Sequence, residues 1–126
     1  MSAVAIIKEN GINIVFAVGG GSEIDEVKCI VAEACFENGD PWTIVSTEAK
    51  VEKALPFGTV LTLPATGSEM NSGSVITRAE TQDKRAFNSS MVFPKFSVID
   101  PTAIYRLPAK QTGNGAVDDL VHVMEQ

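Results

Sequence analysis

An α/β chain built on a parallel sheet is the fold class that the sequence predicts, and three observations predict it. Three apolar runs, at residues 12–18, 59–63 and 96–99, are rich in β-branched and aromatic residues and short enough to be buried strands. Segments with helical spacing lie around them. Each run ends in a loop of glycines, hydroxyls or Asp-Pro, at 19–22, 64–68 and 100–101. In a parallel sheet these loops share the carboxyl edge, where open α/β sheets bind ligands.

Taken in order, residues 2–10, SAVAIIKEN, predict a short helix with Gly11 just past its end. The strand at 12–18 follows and stops at Gly19-Gly20-Gly21-Ser22. These glycines remove side chains where the backbone turns or a ligand approaches, and Ser22 is the candidate N-cap of the next helix. Free amides there would suit an anion such as a diphosphate. The spacing matches neither the G-x-G-x-x-G fingerprint nor the Walker A pattern, so a plain turn is the competing interpretation.

A helix over 22–37 carries Ile24, Val27, Cys29, Ile30, Val31, Ala34 and Cys35 as its apolar face, and Asn38-Gly39-Asp40-Pro41 ends it. Residues 42–45 fit a helical turn or an extended segment, and 47–53 are too polar to place. The strand at 59–63 runs into the small polar loop 64–69. Residues 73–79 and 84–88 predict an excursion hairpin. After the strand at 96–99, Asp100-Pro101 terminates it and starts a helical turn over 102–105. A last helix begins near 108, with Ala116, Val117, Leu120, Val121 and Met124 at helical spacing.

Composition narrows the partners. With 126 residues, 44% hydrophobic and 21% charged, the chain is one domain or a piece of one, long enough for a core. A net charge of −6 without a Lys/Arg stripe argues against nucleic acid. No apolar run approaches membrane-spanning length and no secretion signal opens the chain, so a cytoplasmic location without membrane association is expected. Cys29 and Cys35 lie six apart in one helix, a poor geometry for a bridge, and reduced, partly buried thiols are expected.

Asp118 and His122, four apart, share a helical face and would make half of a divalent-metal site, an oxygen and a nitrogen donor. An intrahelical hydrogen bond or surface ion pair is the alternative, and Asp119 is a solvated neighbour. Asp25 stands three after Ser22, where it can close a capping box or face a ligand. Thr62, Thr66 and Ser68 offer hydroxyls beyond or within a strand. Asn71 can cap a turn or bond a carboxamide. Lys84, paired with Arg85, is a hairpin end or a ligand contact.

Four segments, AVGGGSEID, LTLPATGSEMNSGSVI, FPKFSVIDP and NGAVDDLVHVMEQ, occur in an order and spacing that resemble the iron-containing, or group III, NAD(P)-dependent alcohol dehydrogenases, in their butanol dehydrogenase and aldehyde reductase branch. The resemblance extends over nearly the whole chain. It implies a partial Rossmann-like parallel sheet of the dehydroquinate synthase-like type, truncated at both ends. Residues 1–107 would be part of the dinucleotide-binding domain, with the hairpin near 73–88, and 108–126 the first helix of a helical metal-binding domain.

Carried over by motif, Gly20, Gly21 and Ser22 resemble the diphosphate loop and Asp25 the acidic residue near the nicotinamide. Thr62, Thr66, Asn71 and Val75 match cofactor-contacting positions, Lys84 the lysine that reaches the cofactor, and Asp118 and His122 the first two metal ligands. NAD or NADP and Fe2+ or Zn2+ are the implied cofactors. Two further ligand histidines of the family have no counterpart here, and Glu23 and Glu26 add negative charge beside the loop. A segment with little activity of its own is therefore expected, or else a non-catalytic dinucleotide-binding or self-associating module, pairing through an exposed sheet edge and residues 116–124.

Overall fold

The computed structural model describes residues 2–37, 39–47 and 49–125. Helix α1 (Ala3–Asn10) is capped by the Ser2 hydroxyl, which accepts the Ala5 amide, and closed by Gly11 at φ 61°. Strand β1 (Val15–Gly19) leads into α2 (Gly21–Glu33). After the short helix α3 (Trp42–Ser46), strand β2 (Phe57–Leu61) lies parallel to β1. The hairpin β3 (Gly73–Arg78) and β4 (Asp83–Asn88) follows, then β5 (Ser97–Ile99), parallel to β2, and α4 (Ala109–Met124). Short 3₁₀ helices occupy Ser68–Met70 and Ser90–Val92, and a six-residue one occupies Pro101–Arg106.

The main sheet has the order β1-β2-β5 and all of its pairs are parallel, so Gly19, Leu61 and Ile99 end at one edge. The expected α/β class with its common carboxyl edge is what the chain adopts. The hairpin matches its expected strands to within a residue, and Gln82 at φ 55° turns it. Asp100 ends β5 and caps the following turn. Its carboxylate accepts the Thr102 amide at 2.9 Å and hydroxyl at 2.7 Å, which holds the carboxyl below its ordinary range.

Several boundaries differ from expectation for identifiable reasons. β1 begins at Val15, not residue 12, because the left-handed Gly11 turns the Ile12 amide back to the Ile7 carbonyl. β2 covers 57–61 instead of 59–63, since Phe57 and Gly58 already pair with Val15 and Phe16. Gly58 leaves room for the Phe96 ring, which would lie 2.6 Å from an added Cβ and which meets Phe16 edge-on at 5.8 Å. α2 ends at Glu33. The amides of Cys35 and Phe36 tighten onto the carbonyls of Ala32 and Glu33 before Gly39-Asp40-Pro41 is reached, and Asn38 lies outside the described residues.

The core gathers Ala17, Phe57 and Leu61 of the sheet, Ile24, Val31 and Ala32 of α2, Ile44 and Val45 of α3, and Phe87 and Val92. Alternation along β1 puts Ala17 against α2 and turns Phe16 and Val18 to the opposite face, where they are exposed. Val98, Val117, Leu120 and Val121 are exposed as well, and Gly115 is the buried residue of α4. Among the described residues, no helix is long and apolar enough to cross a membrane.

Candidate functional site

The structure changes the role of the glycine loop at the start of α2. Ser22 is not the N-cap. That position belongs to Gly20, and the Glu23 carboxylate returns to accept the Gly20 amide at 3.1 Å. Asp25 accordingly does not close a capping box. Glu23 folds over Gly19, where an added Cβ would sit 2.7 Å from the Glu23 Cβ. At Gly21 an added Cβ would overlap the Thr66 hydroxyl. Close packing at 19 and 21, not a left-handed backbone, is why these positions carry no side chain. The first intrahelical bond runs from Ile24 to Gly20, which leaves the Gly21 and Ser22 amides without intrahelical acceptors.

Beside this loop lies a cleft of about 1170 Å³ between the first half of α2, the 66–71 loop and the β3–β4 hairpin. Gly21, Ser22, Asp25, Thr66, Asn71, Val75, Lys84 and His122 line it. Gly20, Thr62 and Asp118 lie outside the lining. Thr62 instead donates its amide to the Gly19 carbonyl at 3.0 Å, so β1 and β2 remain joined beyond their ends. Thr66 and Ser68 share a hydroxyl–hydroxyl bond of 2.8 Å on the cleft wall.

Asp25 joins the walls. Its Oδ2 accepts the Val75 amide at 2.9 Å, and its backbone carbonyl accepts the Ser74 hydroxyl at 2.8 Å. Its Oδ1 is buried 3.7 Å from the Lys28 ammonium, an ion-pair distance too long for a hydrogen bond. Asn71 caps its turn, accepting the Gly73 amide at 3.1 Å.

Lys28 is the residue that motif reasoning passed over. Its side chain is wholly buried, and Nζ donates to Asn71 Oδ1 at 2.8 Å and the Gly73 carbonyl at 2.6 Å. Burial pushes its ammonium below the ordinary lysine value, opposed first by the Asp25 carboxylate. One signal could have found it. Lys28 lies four residues after Ile24 and three and four before Val31 and Ala32, on the stripe of α2 that is buried.

Asp118 and His122 approach to 3.9 Å with both side chains about half exposed, a loose surface pair when the imidazole is protonated. His122 reaches the cleft, whereas Asp118 lines a smaller hollow of about 430 Å³ with Leu63 and Gly115. No group of three or more His, Cys, Asp or Glu side chains among the described residues is arranged to hold a metal ion. Two donors do not complete a divalent-metal site.

The sequence profile described as iron-containing alcohol dehydrogenase matches residues 1–101. The chain belongs to this family. It is 51% identical over 128 residues to the NADPH-dependent aldehyde reductase YqhD of Escherichia coli (strain K12), covering 100% of this chain and 33% of that protein. It is 54% identical over 123 residues to the probable NADH-dependent butanol dehydrogenase 1 of Bacillus subtilis (strain 168), covering 98% and 32%. The crystal structure of E. coli K-12 YqhD superposes with a TM-score of 0.93 at 48% identity over 98% of this chain and 32% of that one. The NADH-dependent butanol dehydrogenase A of Thermotoga maritima gives a TM-score of 0.90 at 41% identity, over 98% and 31%. The chain thus spans about a third of the length of these relatives.

Proposed function

We propose that the chain carries the dinucleotide-binding part of an NAD(P)-dependent, divalent-metal-dependent alcohol dehydrogenase or aldehyde reductase of the cytoplasm, and that these 126 residues alone bind cofactor without turning over substrate. The supporting observation is the cleft itself. The Gly21 and Ser22 amides, which lack intrahelical acceptors, the Thr66–Ser68 hydroxyl pair, Asn71 and Lys84 converge on one space at the carboxyl edge of a parallel sheet.

In this reading the Gly21 and Ser22 amides receive the diphosphate at the positive end of α2. Glu23 does not oppose the anion in full, because its carboxylate is drawn back onto the Gly20 amide. Thr66 and Asn71 orient the cofactor from the opposite wall, and Lys84 supplies a cation from the hairpin. Asp25, held by Val75 at 2.9 Å and by Lys28 at 3.7 Å, would face the nicotinamide side of the cleft. When bound, a reduced nicotinamide would give hydride to an aldehyde carbon, and an oxidised one would take hydride from an alcohol carbon. Residues 1–107 form the cofactor part, and 108–126 begin the metal-binding part.

No catalytic step is assigned through a metal, since Asp118 and His122 do not hold one alone. The chain is accordingly expected to lose added Fe2+ or Zn2+ on dialysis. Titration with NADH and NADPH, followed by nicotinamide fluorescence, tests the binding claim. Saturable binding of either cofactor is expected, with no consumption of NAD(P)H on adding a short aldehyde and metal. Absence of binding at millimolar cofactor overturns the proposal, and metal-dependent aldehyde reduction overturns its claim of inactivity.

A second reading, a non-catalytic self-associating module, draws on the exposed apolar side chains of Phe16, Val18, Val98, Leu120 and Val121. It predicts a dimer or larger species by light scattering, and a monomeric mass at high concentration contradicts it.

A further inference from the structure

Lys28 does not line the cleft, yet the residues that receive its ammonium, Asn71, Gly73 and Asp25, all do. An ammonium with no solvent exposure is costly to bury, and an apolar side chain of similar volume would fill the same space. What an apolar residue cannot do is choose the orientation of a carboxamide. Lysine only donates, so the Asn71 atom facing Nζ at 2.8 Å must be the oxygen. The Gly73 amide, at 3.1 Å from the same oxygen, makes the same choice. Both interactions engage Oδ1 and leave the Nδ2 donors as the end of Asn71 available to a ligand.

We propose that Lys28 is a positioning residue: it fixes the Asn71 carboxamide with its oxygen turned inward, so that Asn71 offers the cleft only N–H donors, suited to the phosphate, ribose or carboxamide oxygens of a dinucleotide. The same ammonium ties α2 to the start of β3, with the Asp25–Val75 bond at 2.9 Å completing the seam. This inference rests on the cleft being the dinucleotide site proposed above.

The test titrates NADH and NADPH into the wild-type chain and into Lys28→Met, Asn71→Ala, Lys28→Met/Asn71→Ala and Asn71→Asp, at a temperature where circular dichroism matches wild type. Lys28→Met is expected to weaken binding about tenfold in the wild-type background, the scale of one lost charged hydrogen bond, and to have little effect once Asn71 is alanine. Asn71→Asp keeps an acceptor for Lys28 but has no N–H to offer, so it should retain or raise the melting temperature while losing affinity. A purely structural lysine would lower the melting temperature and leave the affinity of the folded chain unchanged. That result, or full affinity in Asn71→Asp, overturns the inference while the cofactor site stands. Failure of the wild-type chain to bind either cofactor overturns both. Should Lys28→Met not fold, Asn71→Asp decides alone.

Discussion

Gly21 and Thr66 are in such close approach that a methyl group on the first would overlap the hydroxyl of the second. This contact joins the start of α2 to the loop beyond β2, and Thr66 passes it on to Ser68 through the 2.8 Å hydroxyl bond. The two walls of the cleft therefore share one packing constraint at their base. Gly21→Ala should destabilise the chain by about 1–3 kcal/mol through overpacking. Thr66→Ala in the same chain should recover much of that loss, because the overlapping hydroxyl is gone. Denaturant melts of the two single variants and the double variant check this, and simple additivity would show that the two residues do not compete for the same space.

The thiols of Cys29 and Cys35 are free but differ in environment. Cys29 is 6% exposed, and its Sγ donates to Glu33 Oε1 at 3.4 Å. Burial, then the Glu33 carboxylate, push its pKa from 9.0 to about 12. A thiol whose folded pKa is raised contributes stability that is fully present below 9.0 and is lost as pH rises from there to about 12. Wild type should thus lose stability relative to Cys29→Ala across that interval. Iodoacetamide at pH 8 should label Cys35 well before Cys29, read by peptide mass. Equal labelling rates would contradict the described burial.

Thr59 sits at the centre of β2 with no exposure, and its hydroxyl has no hydrogen-bond partner among the described residues. A buried hydroxyl without a partner costs stability, and valine has nearly the same shape without that oxygen. Thr59→Val should raise stability by about 1 kcal/mol in urea unfolding. A loss of stability would mean that the hydroxyl is satisfied in solution.

How much of this was legible in the sequence depended on whether the signal was local. The parallel sheet could be read because the apolar runs at 12–18, 59–63 and 96–99 are short, rich in β-branched and aromatic residues, and followed by loops of glycines, hydroxyls or Asp-Pro. The hairpin could be read from its two runs and polar tip. The starts of β1 and β2 were not readable, because they depend on a turn at Gly11 and on a ring from Phe96 lying over Gly58, a contact 38 residues away in the chain. Ser22 looked like the cap because serine is the commoner capping residue. Glu23 overrode it by supplying the acceptor itself. Most of the residues singled out for a cofactor do line one cleft, whereas Gly20 and Thr62 lie outside its lining. The burial of Lys28 could be read from its place on the α2 stripe, but its partners Asn71 and Gly73, more than 40 residues away, could not.

One cleft, walled by α2, the 66–71 loop and the hairpin, is proposed to receive the dinucleotide. Amide chemical-shift mapping of the isotope-labelled chain during titration with NADH and NADPH tests it most directly. Shifts concentrated at Gly21, Ser22, Thr66, Asn71, Val75 and Lys84 are expected. Shifts confined to α4 or to the exposed sheet face around Phe16 and Val98, or no shifts at saturating cofactor, would contradict it.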